Sequence, residues 1–251
     1  MSFFDTHCHL NLEPLEDRIE QIIKETLDKQ VFCNCVGVNL DSSLKAIKIA
    51  KNYPSNVICS VGIHPEYVDE ISLIDKMEEL IIKNGSVIKA IGECGLDYHS
   101  NKVDKQKQKK LFIMQIELAV KHRLPLVIHC RDAYQDLYDV LKNYHSKLTN
   151  ILIHCFDTTF DWVNKFNEFN CYYAIGGKIT YTDYIAKALF YMPLDKIVCE
   201  TDAPFLSPAP NRKEVNVPNN VIIVVNKINE ILNKNITEQI YKNSIKLFNI
   251  K

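Results

Sequence analysis

The chain has 251 residues, a formal net charge of −1 at pH 7, 47% hydrophobic residues and 24% charged residues. This composition is typical of a globular protein, and the near-zero charge argues against a basic tail or a broad surface that wraps a polyanion. No stretch approaches about 18 uninterrupted apolar residues, so the sequence predicts no membrane span. No secretory signal is recognisable before the first predicted strand, and we expect a cytoplasmic protein.

Short apolar runs alternate with amphipathic segments along the chain. The apolar runs lie at 2–6, 31–38, 57–62, 87–92, 125–130, 150–155, 171–175 and 196–200. They are continuously hydrophobic, which is typical of parallel strands buried on both faces. The helical segments lie at 15–29, 41–51, 71–83, 104–122, 133–145, 158–169, 182–190, 218–233 and 237–248. Eight strand–helix repeats predict an α/β fold, a single (β/α)8 barrel that spans residues 1–251 as one domain.

The longest irregular stretch, residues 203–220, contains four prolines and follows the last predicted strand. Loops of this length inside compact domains are usually functional. We expect this loop to lie over the face of the barrel where the carboxyl ends of the strands converge.

The nine cysteines are an odd number without CxxC spacing, which predicts free thiols and a reducing compartment. Cys8, Cys94, Cys130 and Cys155 each adjoin a candidate metal ligand. Neighbouring side chains on a strand point to opposite faces, so we expect these cysteines to pack against the helices rather than to bind metal.

Six candidate metal ligands recur where predicted strands end. His7 and His9 share a strand face, because side chains two positions apart point the same way. Glu93 follows an apolar strand, where a buried carboxylate is costly unless cations balance it. The carboxyl ends of barrel strands converge, so these residues predict a binuclear hydrolase site. The predicted ligands are His7, His9, Glu93, His129, His154 and Asp202. Such ligands suit two divalent ions, zinc, manganese or magnesium.

The sequence resembles the TatD-type metal-dependent deoxyribonucleases of the amidohydrolase superfamily. The resemblance runs through DTHCHL (5–10), GIHP (62–65), GECGLDY (92–98), IHCRDA (128–133), HCF (154–156) and ETDAPFL (200–206). It implies a TIM barrel with its metal site at the C-terminal ends of the strands, phosphodiester hydrolysis and a DNA substrate. It also implies that the same six residues are the ligands and that Glu93 bridges the two ions.

The sequence departs from the family pattern after the last strand. The family often has Arg-Asn-Glu-Pro there, whereas this chain has Arg212, Asn216 and Pro218, with Val217 at the acidic position. Two further departures are Cys130 and Ala203, at positions where the family usually has serine. Only the first departure falls in a predicted substrate loop, so it affects substrate contacts rather than metal binding.

Two residues beside the predicted site are candidates for holding a substrate phosphate. His64 lies in a Gly-Ile-His-Pro turn after the third strand. Arg131 follows His129 closely, and its guanidinium can bind phosphate oxygens bidentately. A salt bridge from Arg131 to Asp132 or Asp136 is an equally simple interpretation.

Other residues have predicted supporting roles. Glu200 shares a strand face with Asp202 and is expected to orient a ligand. Tyr98, His99 and Phe205 could stack on bases, although loop packing would explain them equally well. The lysine run at 101–110 is interpreted as the solvated start of the fourth helix.

The predicted mechanism is metal-assisted hydrolysis, with Asp202 as the general base and Glu93 as the shared carboxylate. A concave site without cationic excess favours an end of single-stranded or frayed DNA over intact duplex. The 3′→5′ direction follows from the resemblance alone. The alternatives are another binuclear amidohydrolase that cleaves a small-molecule ester or amide, and a non-catalytic metal-binding scaffold. We infer no obligatory protein partner.

Overall fold

The structure is a computed structural model that describes residues 1–100 and 104–250. Eight parallel strands form one sheet in which neighbours follow the chain order, and the predicted barrel is confirmed. The strands are Phe3–Cys8 (β1), Val31–Val36 (β2), Val57–Val61 (β3), Ile88–Asp97 (β4), Leu126–Arg131 (β5), Ile151–Ile153 (β6), Tyr172–Ile175 (β7) and Ile197–Cys199 (β8). The helices of the described residues are Ile19–Asp28 (α1), Leu40–Asn52 (α2), Ile74–Asn84 (α3), Lys105–His122 (α4), Tyr134–Tyr144 (α5), Phe160–Phe166 (α6), Asp183–Leu189 (α7), Val221–Leu232 (α8) and Thr237–Leu247 (α9).

Apolar side chains fill the amino-terminal part of the barrel interior. Strand residues such as Phe4, Ala90, Val127, Leu152 and Val198 form a cluster with the end of α9. A larger apolar cluster joins the outer face of the strands to the helices. The strands are therefore buried on both faces, as their continuously hydrophobic sequences require.

Two irregularities in strand pairing direct the side chains of candidate ligands toward the interior of the barrel. The pairing of β1 with β2 shifts between Asp5 and Cys8, and the pairing of β4 with β5 shifts between Ile91 and Cys94. Each shift places one extra residue in the bulged strand. Strict alternation from Phe4 or Ala90 would point His7 and Glu93 at the helices, so the bulges place both side chains at the site.

The expectation that β4 ends at Glu93 is wrong, since β4 continues through Glu93 to Asp97. Gly92 and Gly95, each with φ of 141°, allow this extension. A Cβ at Gly95 would lie 2.0 Å from the His129 carbonyl oxygen, so only glycine lets β4 and β5 approach this closely. Glu93 is thereby held inside a strand rather than on a loop.

Side chains close the seam between β1 and β8. The Thr201 amide and hydroxyl donate hydrogen bonds to the buried Asp5 carboxylate at 2.9 and 2.5 Å, and the amide of His7 donates at 3.2 Å. The Thr6 hydroxyl donates to the Cys199 carbonyl at 3.0 Å. The seam therefore fixes the first and last strands beside the candidate ligands.

Replacing Asp5 by alanine should lower the free energy of unfolding by roughly 2–5 kcal/mol, because buried donors on Thr201 and His7 lose their acceptor. Urea denaturation in EDTA would measure this loss without a contribution from metal. Asp28→Ala, at the exposed end of α1, is the control and should stay near the wild-type value. An unchanged midpoint for Asp5→Ala would show that the seam does not depend on this carboxylate.

The loop after β8 is tied to the turn after β7. The Ala209 amide donates to the Thr180 hydroxyl at 2.8 Å, and the Asn216 side-chain amide donates to the carbonyls of Thr201 and Phe205 at 2.8 and 2.7 Å. The loop therefore lies on the carboxyl-terminal face, as expected.

In the described part of the chain, no helix is both long enough and apolar enough to cross a membrane.

Candidate metal centre

Four of the six candidate ligands converge on one point. His7 Nε2 lies 3.3 Å from His9 Nε2, 3.4 Å from Glu93 Oε2 and 3.7 Å from Asp202 Oδ1. His9 Nε2 lies 3.7 Å from the same Glu93 oxygen and 3.4 Å from the same Asp202 oxygen. We call His7, His9, Glu93 and Asp202 the first set.

The other two candidates, His129 and His154, contact the second carboxylate oxygen of Glu93. Its Oε1 lies 2.9 Å from His129 Nδ1 and 2.8 Å from His154 Nε2, and these nitrogens are 3.2 Å apart. We call Glu93, His129 and His154 the second set. The two sets adjoin, because the His7 and His154 rings stack with centroids 4.0 Å apart.

These separations fit metal coordination. Four donors placed tetrahedrally about 2.0–2.1 Å from a zinc ion lie roughly 3.3–3.4 Å from one another. The donor atoms of the first set are close to this spacing, and those of the second set would need to move apart only slightly. All donors are imidazole nitrogens or carboxylate oxygens, which zinc and manganese accept. The residues present could therefore hold divalent ions.

Hydrogen bonds outside the two sets determine which ring nitrogens face the centre. His9 Nδ1 lies 3.0 Å from the Val36 carbonyl, which can only accept, so Nε2 carries the free lone pair. His129 Nε2 lies 2.9 Å from Asp97 Oδ2, which leaves Nδ1 for the centre. His154 Nδ1, by contrast, has no hydrogen-bond partner among the described residues: the nearest carboxylate oxygen, Glu200 Oε1, is 3.7 Å away and accepts a 2.6 Å bond from the Cys155 amide.

Sequence reasoning missed Asp97. It follows Glu93 by four positions on β4 and therefore shares its strand face, a spacing visible in GECGLDY. Asp97 also accepts a bond from the His99 amide at 2.9 Å. Burial would raise the pKa of Asp97, but the bonds from His129 and His99 hold it below its ordinary value. This ionised carboxylate can orient the His129 ring.

Asp97→Asn should weaken metal binding by about 10- to 100-fold, because His129 loses the carboxylate that orients it. Competition with a fluorescent zinc chelator would measure the change. Asp69→Asn, at a side chain that is 92% exposed, is the matched control. Equal affinities of Asp97→Asn and wild-type protein would exclude the positioning role.

His64 is a hydrogen-bond donor at the centre. The Glu66 amide donates to His64 Nδ1 at 3.1 Å, so the neutral ring carries its proton on Nε2. Nε2 lies 3.6 Å from Glu93 Oε1. Burial lowers the pKa of His64 to about 3, and the ring is therefore neutral at pH 7. This geometry favours a bond to a substrate oxygen over metal ligation.

Arg131 does not form either salt bridge that the sequence allowed. Asp132 pairs with His99 at 3.0 Å, and Asp136 binds the Tyr98 hydroxyl at 2.7 Å and Lys109 at 2.8 Å. Within residues 1–100 and 104–250, the exposed Arg131 guanidinium has no hydrogen-bond or ion-pair partner. It is therefore available to an anionic ligand.

Two adjoining cavities open above the centre. The inner cavity, about 360 Å³, is bordered by His64, Tyr67, Arg131, Phe205 and the ligands of both sets other than His7. The outer cavity, about 460 Å³, shares Arg131 and Phe205 and extends toward β7. Tyr98 borders neither: Lys105 lies over its ring at 4.4 Å, and loop packing explains it. Sequence reasoning missed Tyr67 as the second aromatic residue at the inner cavity.

Seven of the nine free cysteines are buried, as expected. Cys130 and Cys155 instead border the outer cavity and are partly exposed. Cys130 still packs against the apolar cluster that joins the strands to the helices, as expected. The expectation is wrong for Cys155, because β6 ends at Ile153 and Cys155 has a φ of 43°. Burial raises the pKa of both thiols, so they remain protonated at neutral pH.

Neighbouring carboxylates favour protonation of three imidazoles at the centre. Burial alone would lower the pKa values of His9, His129 and His154, but neighbouring carboxylates outweigh it and raise all three. A metal ion must displace these protons, so its affinity should fall as pH falls, by up to about tenfold per pH unit for each proton displaced. Chelator competition at about pH 6 and about pH 8 measures this. A pH-independent affinity would contradict the prediction.

A family model described as TatD related DNase matches residues 4–249. The chain belongs to the TatD family. An uncharacterized metal-dependent hydrolase of Mycoplasma genitalium is 34% identical to this TatD-family protein over 264 aligned residues, with 99% of each chain covered. Another from Bacillus subtilis is 33% identical, covering 91% of this chain and 90% of the relative. The TatD-family protein is accordingly a member of a family of metal-dependent hydrolases.

Solved structures show the same barrel. The crystal structure of a TatD homologue from Escherichia coli K12 superposes with a TM-score of 0.93 at 22% identity, covering 99% of this TatD-family chain and 98% of that one. A TatD family hydrolase from Entamoeba histolytica gives 0.89 at 21% identity, with coverage of 99% and 98%. At these identities the likeness establishes the fold alone.

Proposed function

We propose that this TatD-family protein is a metal-dependent deoxyribonuclease that removes nucleotides from the 3′ end of single-stranded or frayed DNA. The observation that carries the proposal is the arrangement at the inner cavity. Two potential ligand sets share Glu93 there, beside the neutral donor His64 and the unpaired cation Arg131. The description of the matching family model as a DNase supports the same chemistry.

The two sets would each hold one divalent ion, zinc, manganese or magnesium, with Glu93 contributing one oxygen to each. Such ions supply Lewis-acid polarisation of a phosphate and activation of water. Glu93 is 3% exposed, so its charge lies where water cannot screen it. A buried carboxylate needs positive charge to balance it, and five imidazoles lie within 3.7 Å of Glu93, which supports cation binding as its role.

Asp202 is the proposed general base. Its Oδ1 faces His7 and His9, whereas its Oδ2 accepts no hydrogen bond from residues in the described part of the chain. Asp202 borders both cavities, so the free oxygen can take a proton from an attacking water. His64 Nε2–H and the Arg131 guanidinium would donate to the non-bridging oxygens of the phosphate.

The shape of the site supports a strand end as the substrate. The ligands lie at the floor of a cavity whose rim carries Tyr67 and Phe205, 40% and 51% exposed. Both rings can stack on an unpaired base. The wide B-DNA duplex does not fit a concave pocket without bending, and a net charge of −1 provides little attraction to offset that cost.

The test compares linear and circular single strands of the same sequence, with linear strands labelled at either end. Metal-loaded protein is expected to release 3′-terminal mononucleotides from linear DNA and to leave circles intact. Rapid cleavage of circles would overturn the exonuclease assignment, and early release of the 5′-terminal nucleotide would reverse the direction.

The same preparation distinguishes the alternatives. Turnover of a small ester or amide without turnover of DNA would identify another amidohydrolase-type enzyme. Stoichiometric metal binding without turnover of any of these substrates would identify a non-catalytic scaffold. An Asp202→Asn preparation run in parallel excludes contaminating nucleases.

A further inference from the structure

The outer cavity contains a second cation that the proposed reaction does not use. Lys178 lies in the 3-10 turn Gly177–Thr180, directly after β7, and borders the same cavity as Arg131. The cavity shares His129, His154 and Asp202 with the inner cavity, so it is continuous with the metal centre.

Lys178 is held in place by its neighbours. Its ammonium donates to one oxygen of Asp157, and the Tyr184 hydroxyl donates to the other. Only 29% of the Lys178 side chain is exposed. An ammonium has three donor hydrogens, and among the described residues Asp157 is the single side-chain acceptor that Lys178 reaches. Two donors are therefore left for a ligand in the cavity.

The backbone that carries Lys178 is fixed by the loop after β8. A Cβ on Gly177 would lie 2.3 Å from the Leu206 carbonyl oxygen, so the loop packs directly against this glycine. The bond from the Ala209 amide to the Thr180 hydroxyl holds the other end of the turn. A cation on a fixed backbone loses little entropy when it binds an anion.

We propose that Lys178 binds a second substrate phosphate, that of the nucleotide next to the scissile bond. The inference rests on the proposed function, because successive phosphates along a strand are what would occupy two connected cavities that each carry a cationic side chain. Each carboxylate of the outer cavity has a partner: Asp132 is paired with His99, Asp157 accepts from Lys178 and Tyr184, and Asp202 faces His7 and His9 in the first set. Arg131, which borders both cavities, lies between the two phosphate positions.

Direct binding tests the subsite without requiring turnover. Calorimetry with metal-loaded protein would compare thymidine 3′,5′-bisphosphate with thymidine 5′-monophosphate. The wild-type protein is expected to bind the bisphosphate about tenfold more tightly, the effect of one charge-assisted hydrogen bond. Lys178→Gln should abolish that preference and leave monophosphate binding unchanged, whereas Lys178→Arg should retain it.

Lys187→Gln, on the exposed face of α7, removes the same charge and should behave as wild type. Lys178→Met, which keeps the apolar stem, provides a second neutral variant if Lys178→Gln does not fold. A wild-type protein without preference for the bisphosphate, or a preference that survives in the neutral variants, would overturn the subsite. If the wild-type protein cleaves no oligonucleotide, the proposed function fails while the binding measurement still decides this inference.

Discussion

Replacing Asp202 by asparagine is expected to lower turnover by about 10²- to 10⁴-fold, the range that loss of a general base produces. Asparagine keeps an oxygen that can face His7 and His9 but cannot take a proton from water at neutral pH. The second set does not include Asp202, so the variant should retain at least one ion. Elemental analysis and turnover on end-labelled single strands would measure both effects.

Asp195→Asn is the matched control, since Asp195 is exposed at the opposite end of β8. It should retain wild-type turnover and metal content. Wild-type turnover in Asp202→Asn would refute the base assignment. Complete loss of metal would instead show that Asp202 acts mainly through metal retention.

Glu93→Gln is expected to weaken metal binding by more than about 100-fold and to abolish turnover, because both sets lose a charged oxygen. A neutral amide cannot balance two divalent ions. The barrel should remain folded, since glutamine has nearly the same shape and the apolar layer below it is unaffected. Metal content after dialysis and far-ultraviolet circular dichroism would test these expectations.

Glu117→Gln, on the exposed face of α4, is the control for the same chemical change. It should bind metal as the wild-type protein does. Retention of two ions by Glu93→Gln would show that Glu93 is not shared between the sets.

The sequence was sufficient to predict the barrel and to select six residues that the structure brings together. Continuous apolar strands and helical periodicity are strong signals, and the carboxyl ends of parallel strands must converge. Asp202 follows the last strand, so this convergence alone brings it to the histidines. Their detailed roles remain predictions.

Other features depend on tertiary geometry that one sequence does not reveal. The extra residues in β1 and β4 change which face His7 and Glu93 occupy, and pairing registers follow from neighbouring strands. Whether Arg131 pairs with Asp132 depends on where His99 lies, 33 positions away from Asp132 in the chain. Asp97 could have been identified from its spacing to Glu93, but its hydrogen bond to His129 depends on the bulge in β4.

The seam between β1 and β8 gives the metal centre a role in keeping the barrel closed. Asp5 and Thr201 are 196 positions apart, and the first set likewise takes ligands from both sides of this junction. An ion bound there would cross-link the two ends of the sheet and remove the entropy of a very long open loop. Chelation would therefore favour local opening at this junction, with the other strand pairs still intact, and proteolytic susceptibility there would follow metal supply.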